Sequence, residues 1–271
     1  MKVVSFNIRT RWDNDGINSF IHRIGLIYEK INEELPEVIA LQEVTEKHID
    51  VLRKLFPDYS FVGSGRLENR DGEGLYTAFL KSKMECLKER VFWLSDTPEI
   101  PGSRFKSQSI YPRICVYTRL LNKTTKEELA FYNVHLDYLG MVGHTAPPSK
   151  EEVPEDFDFE NFENPRKLAL ETLFAEMKKD NEECEKIILG DFNATIQDEA
   201  LNIVSREGFE DLTENVGPTF HNFGKPESLM KIDYIFAKPT LRLRVKDTSL
   251  WREEKNGIYL SDHYPVAVEI E

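Results

Sequence analysis

Short apolar runs recur along the chain at residues 3–8, 38–43, 76–80, 114–119, 129–135, 187–191, 232–236 and 266–270, and each has the length and composition of a buried strand. Two stretches carry the three-to-four spacing of a helix instead. Residues 17–35 gather Ile21, Ile24, Leu26, Ile27 and Ile31 on one face. Residues 164–179 place Pro165 in a first turn and face Leu168, Leu170, Leu173, Phe174 and Met177 inward. A shorter helix is predicted over 198–207, stopped by Gly208, and another after Thr45, which can cap it.

Strands outnumber helices, and many follow one another with no helix between. That order favours sheets packed face to face with a few helices outside over a doubly wound parallel sheet. With no clean linker and no internal repeat, residues 1–271 are expected to form one domain. The segment "HTAPPSKEEVPEDFDFENFENP" breaks the pattern: it is acidic, Pro-rich and without period. It reads as an insertion loop over about residues 141–165, and Phe157, Phe159 and Phe162 give it the means to dock as a lid.

Charge narrows the ligand. The chain carries 35 Lys and Arg against 48 Asp and Glu, a net −13, and no dense basic run. Generic duplex DNA binding, which depends on such a run, is therefore not expected, although a local basic pocket is compatible with the balance. No apolar run reaches the roughly 18 to 20 residues of a membrane span. The opening "MKVVSFNIRT" reads as a strand, not a signal peptide. Cys86, Cys115 and Cys184 are scattered and odd in number, so free thiols in the cytoplasm are the expectation.

The strand ends collect polar residues. "KIILGDFNATIQDE" runs through Ile187–Leu189 and Gly190 into Asp191 and Asn193; on an extended chain these two would point to the same side. The other runs end likewise: at Asn7, at Gln42 and Glu43, at His135 with Asp137 beyond it, beside Asp233, and at Asp262–His263 before the last strand. A single such residue is an ordinary turn former. Six at the ends of buried strands can meet at one rim of facing sheets. Glu43, Asp191, Asp262 and the Asn7 carbonyl are hard oxygen donors that suit Mg2+ or Mn2+. Zinc would call for more His and Cys. With His135 and His263 to move protons or contact phosphate, the set is equipped to open a phosphate ester.

In order along the chain, "SFN", "ALQEV", "NVHLD", "GDFN", "IDYIF" and "SDHYPV" resemble the endonuclease/exonuclease/phosphatase superfamily. "FWLSDTPEIPGSR" and "TFHNFG" are similar to its uncharacterised bacterial branch, with two departures. "RFKSQSIYPR" replaces that branch's usual Gly-Trp-Asp-Ala segment, and the acidic insertion follows "HLDYLG".

The resemblance implies a four-layer α/β sandwich, with two mixed sheets face to face and helices outside. It implies Glu43 as the principal Mg2+ ligand, with Asn7 in the metal site and Asp262 completing it. Asp191 would orient or deprotonate the attacking water or serve a second metal. Asn193 would donate to a non-bridging oxygen, and His263, held by Asp233, would contact the scissile phosphate. His135 would be a leaving-group acid or phosphate contact, with Glu73 its candidate partner, and Arg113 a phosphate-contacting arginine. The expected activity is a Mg2+-dependent phosphodiesterase on a small or short phosphoester, with Mn2+ as alternative cation. A nuclease on DNA or RNA shares the machinery. A catalytically dead phosphate-binding scaffold is the third reading, and it sits poorly with the retention of Glu43, Asp191 and His263. Loops 12–17, 93–113 and 138–166 are expected to set specificity.

Overall fold

The computed structural model describes residues 1–10, 12–140, 151–157, 159–160, 162–180 and 183–271. Most of the acidic segment's first half, residues 141–150, thus lies outside the described residues. The chain builds two six-stranded mixed sheets. The first holds β1 (Lys2–Asn7), β2 (Val38–Val44), β3 (Tyr59–Gly65), β4 (Gly74–Leu80), β11 (Val245–Leu250) and β14 (Val266–Ile270), in the order β11-β14-β1-β2-β4-β3. The second holds β5 (Met84–Trp93), β6 (Ile114–Asn122), β7 (Glu128–His135), β8 (Glu185–Asp191), β9 (Glu210–Asp211) and β10 (Asp233–Ala237), in the order β5-β6-β7-β8-β10-β9. A two-stranded ribbon pairs β12 (Glu254–Lys255) with β13 (Ile258–Tyr259).

The central strands are apolar throughout because both faces are covered. In β8, Ile187 and Leu189 enter the layer between the sheets, while Ile188 joins the layer under the helices. In β2, Val38 and Ala40 face the other sheet, and Ile39 and Leu41 face outward. On the first sheet's outer face lie α1 (Phe20–Glu34) and α2 (Glu46–Leu55), burying Phe20, Ile27, Ile31, Ile49 and Leu52. On the second lie α3 (Pro165–Lys179) and α4 (Leu201–Arg206), burying Leu170, Leu173, Phe174 and Val204. A short α5 (Pro239–Arg242) adds Leu241 to the layer between the sheets. The result is the expected four-layer α/β sandwich.

Three full strands carried no clear apolar run: β3, β5 and β11. All three lie at sheet edges. An edge strand pairs on one side only and tolerates charge, as β5 does with Glu85, Lys88, Glu89 and Arg90. The first helix starts at Phe20 rather than residue 17, because Gly16–Asn18 forms a separate 3-10 turn. Thr45 caps α2 as expected, with His48 completing a capping box. Asn164 caps α3 by accepting the Arg166 N–H at 3.1 Å.

Candidate active site

Strand register puts the polar ends together. His135 of β7 sits beside Asp191 of the parallel β8, and Asp233, which begins β10, sits beside Asp191 from the other side. In the facing sheet, Asn7 ends β1 against Gln42 of β2. β2 slips register against β4 between Leu41 and Val44, and Glu43 takes a left-handed φ of 62° within this bulge. A local kink of that kind redirects a side chain, and Glu43 lines the rim. Asp262 and His263 arrive on the turn before β14. Two buried amides clip the sheets below the rim: Gln42 Nε2 donates to Asn133 Oδ1 at 2.8 Å, and Asn133 Nδ2 to Leu41 O at 3.1 Å.

Asp191 is the hub. Its Oδ2 accepts from Asn7 Nδ2 at 3.0 Å and lies 3.5 Å from His135 Nε2 and 3.8 Å from His263 Nε2. Asn7 Nδ2 also donates to Glu43 Oε1 at 3.1 Å, while its Oδ1 accepts the Arg9 N–H at 3.0 Å. Glu43 Oε2 accepts the Thr10 N–H at 2.7 Å. Asp262 pairs with Arg9 at 3.2 Å. His263 Nδ1 and Asp233 Oδ2 are 2.9 Å apart.

The local chain at Asp191 differs from the extended one the sequence suggested. Gly190 is still within β8, and it is required by close packing rather than by a turn: a Cβ there would lie 1.9 Å from Val134 O of β7. The turn comes at Asn193, with φ 46°. Its N–H donates to Asp191 Oδ1 at 2.9 Å, and its Nδ2 donates to Leu136 O at 3.0 Å. Asn193 still lines the same cleft as Asp191.

Thr219 locks the Asp233–His263 pair from behind. Its Oγ1 accepts the N–H groups of Ile232 and Asp233 at 3.1 and 3.0 Å, and its carbonyl accepts the Tyr264 N–H at 2.7 Å. One buried residue thereby fixes the backbone on both sides of the pair.

Burial and crowding set the charges. Burial lifts Asp191 toward about 7, with Asp233 adding to it. Burial likewise raises Asp262 and Glu73, even with His263 and Arg9 beside the first and Arg66 beside the second. Glu43 moves the other way: burial opposes its charge, but Arg9, the Thr10 N–H and Asn7 hold it below the usual range. Burial works against a charged His263, yet Asp233, Asp191 and Asp262 outweigh it and push the imidazole up to about 10. His135 is driven well below its ordinary value by burial and by Arg113, Arg66 and His263, and stays neutral.

These groups line a cleft of about 620 Å3, with Arg66, Glu73, Tyr111, Arg113 and Tyr138 on one side and Phe220, Met230 and Ile232 among the rest. Arg113 is buried, donates Nε to Asp137 Oδ2 at 3.3 Å, and has no partner for Nη1 among the described residues. Glu73 Oε1 lies 3.9 Å from His135 Nδ1 but 3.0 Å from Arg66, so it is first an arginine's partner. The structure therefore gathers Asn7, Glu43, Glu73, Arg113, His135, Asp191, Asn193, Asp233, Asp262 and His263 around one rim.

Arg9, Arg66 and Tyr111 also line this cleft and were not singled out from the sequence. Arg9 follows Asn7 by two positions at a strand end, which was a usable signal. Arg66 lies between β3 and β4 with no periodic context, and nothing in its neighbourhood marked it.

A family model described as "Endonuclease/Exonuclease/phosphatase family" matches residues 4–263. The chain belongs to that family. Members of the endonuclease/exonuclease/phosphatase family hydrolyse phosphoester bonds. The fold is similar to that of an endonuclease/exonuclease/phosphatase from Bacteroides vulgatus, at 24% identity and TM-score 0.83, covering 100% of this chain and 98% of the other. It is similar to a mannosyl-6-phosphatase from Bacteroides thetaiotaomicron at 24% identity and TM-score 0.80, over 100% and 99% of the two chains. It is similar, at 20% identity and TM-score 0.68 over 99% and 97%, to TDP2 of D. rerio complexed with a single-strand DNA product.

This family generally uses a divalent metal, and the oxygen-rich donor set fits such a cation. Glu43 and Asp262 offer carboxylate oxygens, and Asp191, Asp233 and His263 bring ligand atoms within 4.8 Å of one another. Burial raises Asp191 and Asp262, with Asp233 and Glu43 respectively adding like charge, and a bound cation would favour their ionised forms. No helix among the described residues is long and apolar enough to cross a membrane.

Proposed function

We propose that this member of the family is a divalent-cation-dependent hydrolase of a small or short phosphoester, a phosphodiester foremost, working by in-line attack of water. The observation that carries the reading is the position of Asp191 Oδ2, within 4 Å of both imidazoles and of Asn7, in a cleft lined by Arg113, whose buried Nη1 has no partner among the described residues. The whole-length likeness to a mannosyl-6-phosphatase and the net charge of −13 both support a small substrate over a long polymer.

In this reading Glu43 and Asp262, with Asn7 beside them, would hold Mg2+ or Mn2+, which would supply Lewis-acid chemistry to the phosphoryl group. Asp233 already occupies Nδ1 of His263, so that pair serves proton and phosphate chemistry rather than metal binding. Asp191 aligns the attacking water and takes its proton. Charged His263 offers Nε2 to the phosphoryl group, and Asn193, with one amide hydrogen held by Leu136 O, offers the other. Arg113, positioned by Asp137, carries a buried Nη1 without a partner among the described residues, which a non-bridging oxygen would satisfy. Neutral His135 stands on the far side of Asp191 as a contact for the leaving oxygen.

A panel assay tests the substrate class: an activated phosphodiester, an activated phosphomonoester, and labelled single- and double-stranded oligonucleotides, each with Mg2+ and Mn2+. Metal-dependent turnover of the small diester with the oligonucleotides intact is expected. Efficient cleavage of long oligonucleotides would replace this reading with a nuclease.

A further inference from the structure

One wall of the cleft holds more cationic chemistry than a single scissile phosphate uses. Arg66 is buried, and among the described residues its side chain makes one ion pair, to Glu73 through Nη1. The Tyr111 ring covers its guanidinium, 4.7 Å from the ring centroid. Arg113 lies against Tyr138 in the same way, at 6.0 Å. Both arginines and both tyrosines line the cleft, and burial together with the neighbouring Arg113 charge lowers the pKa of Arg66 from its ordinary value.

The wall is built, not incidental. Asp137 Oδ2 accepts from Ser109 Oγ at 2.6 Å and from Arg113 Nε at 3.3 Å. Ser109 Oγ in turn accepts the Tyr111 N–H at 3.4 Å, and Gln108 Nε2 donates to Tyr111 O at 2.7 Å. One buried carboxylate thus fixes the loop that carries Tyr111 over Arg66. Glu73 and Asp137 each lie beside one of the two guanidinium groups, and burial raises Glu73, which weakens its hold on Arg66 and leaves room for a further anion. Planar guanidinium forks match phosphoryl oxygens, and a ring stacked on one face keeps the fork's edge aimed at the cleft.

We infer that Arg66 and Tyr111, beside Arg113, form a subsite for a second phosphoryl group carried by the substrate. The inference rests on the phosphoester reading above and names its substrate class: a molecule with a further phosphate near the scissile one. A bisphosphorylated sugar and the neighbouring phosphate of a short oligonucleotide supply the same chemistry, and the experiment separates them.

Calorimetry in Mg2+ on the Asp191→Asn protein, whose turnover is suppressed, would compare thymidine 3′,5′-bisphosphate with thymidine 5′-monophosphate, and fructose 1,6-bisphosphate with fructose 6-phosphate. A charge-assisted hydrogen-bond set of this kind gives a gain of at least about tenfold for the second phosphate. The pair that shows the gain identifies the source. Arg66→Met and Tyr111→Ala should each shrink that gain; the second variant guards against Arg66→Met unfolding the chain through an uncompensated Glu73. A gain under about tenfold for both bisphosphates, or one that survives both substitutions, overturns the subsite. Because binding is read without turnover, a subsite that appears while the wild-type protein shows no hydrolytic activity would sink only the hydrolase reading.

Discussion

Nδ1 of His263 and Oδ2 of Asp233 lie 2.9 Å apart, both buried, and join the turn before β14 to the first residue of β10. The contact fixes the ring so that Nε2 faces Asp191 and the cleft. His263→Gln should lower kcat by about 10²–10⁴-fold and also lower the melting temperature, because it leaves buried Asp233 without its cation. Steady-state kinetics beside a thermal melt checks both halves. A variant retaining near-wild-type turnover would remove His263 from the chemistry.

Thr219 holds that pair through three main-chain contacts, two of them to its hydroxyl. Thr219→Val leaves two buried N–H groups without a partner, at about 1–3 kcal/mol each. Stability and kcat are both expected to fall, and Thr219→Ser should restore most of each. If serine fails to rescue kcat, the hydroxyl is not what positions the pair.

Gly190 tolerates no side chain. With φ 144° and Val134 O 1.9 Å from where a Cβ would sit, Gly190→Ala must push β7 and β8 apart just below His135 and Asp191. The cost is about 3 kcal/mol or more. That corresponds to a fall of roughly 6–12 °C in melting temperature for a chain of this size. A differential scanning calorimetry trace unchanged from wild type would contradict this packing.

His48 ties stability to pH away from the cleft. Its Nδ1 accepts the Thr45 N–H at 3.1 Å, and its ring packs edge-on against Phe20 with centroids 4.2 Å apart. Burial, with Arg23 adding to it, lowers its pKa from 6.5 to about 4. The unfolded chain therefore takes this proton first. The contribution is complete above about pH 6.5 and falls away as pH drops toward about 4, the loss reaching about 2 kcal/mol at pH 5. Urea midpoints at pH 7 and pH 5 should drop more for wild type than for His48→Gln, and equal drops would show that His48 carries no such linkage.

The sequence exposed the centre of the molecule better than its edges. Strands such as β2 and β8 are apolar on both faces because sheet and helix layers cover them, so their ends, and Glu43, Asp191 and Asn193 with them, stood out. β3, β5 and β11 pair on one side only and carry polar residues, which hides them from any apolar pattern. The local geometry was equally hidden. Nothing in "GDFN" announces that Gly190 is needed for Val134 or that Asn193 turns left-handed. Glu73 was noticed as a partner for His135, but its nearer partner, Arg66, faces it across the same β3–β4 hairpin, whose register the apolar pattern did not reveal.

The insertion was legible as a departure and partly as packing. Val153 and Phe157 bury themselves against Tyr138 and Leu139, while Phe159 and Phe162 stay exposed beside Phe157. Of the three phenylalanines only Phe157 packs next to a cleft-lining tyrosine, so their spacing did not mark a segment docked along its length.

The most direct test is hydrolysis of bis(4-nitrophenyl) phosphate across a Mg2+ titration, by wild type and by Asp191→Asn, with EDTA as the reversal. Turnover should saturate with Mg2+, vanish in EDTA, return with excess Mg2+, and fall by about 10²-fold or more in Asp191→Asn. Turnover that persists in EDTA, or an Asp191→Asn variant as active as wild type, would contradict a metal-assisted phosphoesterase centred on Asp191.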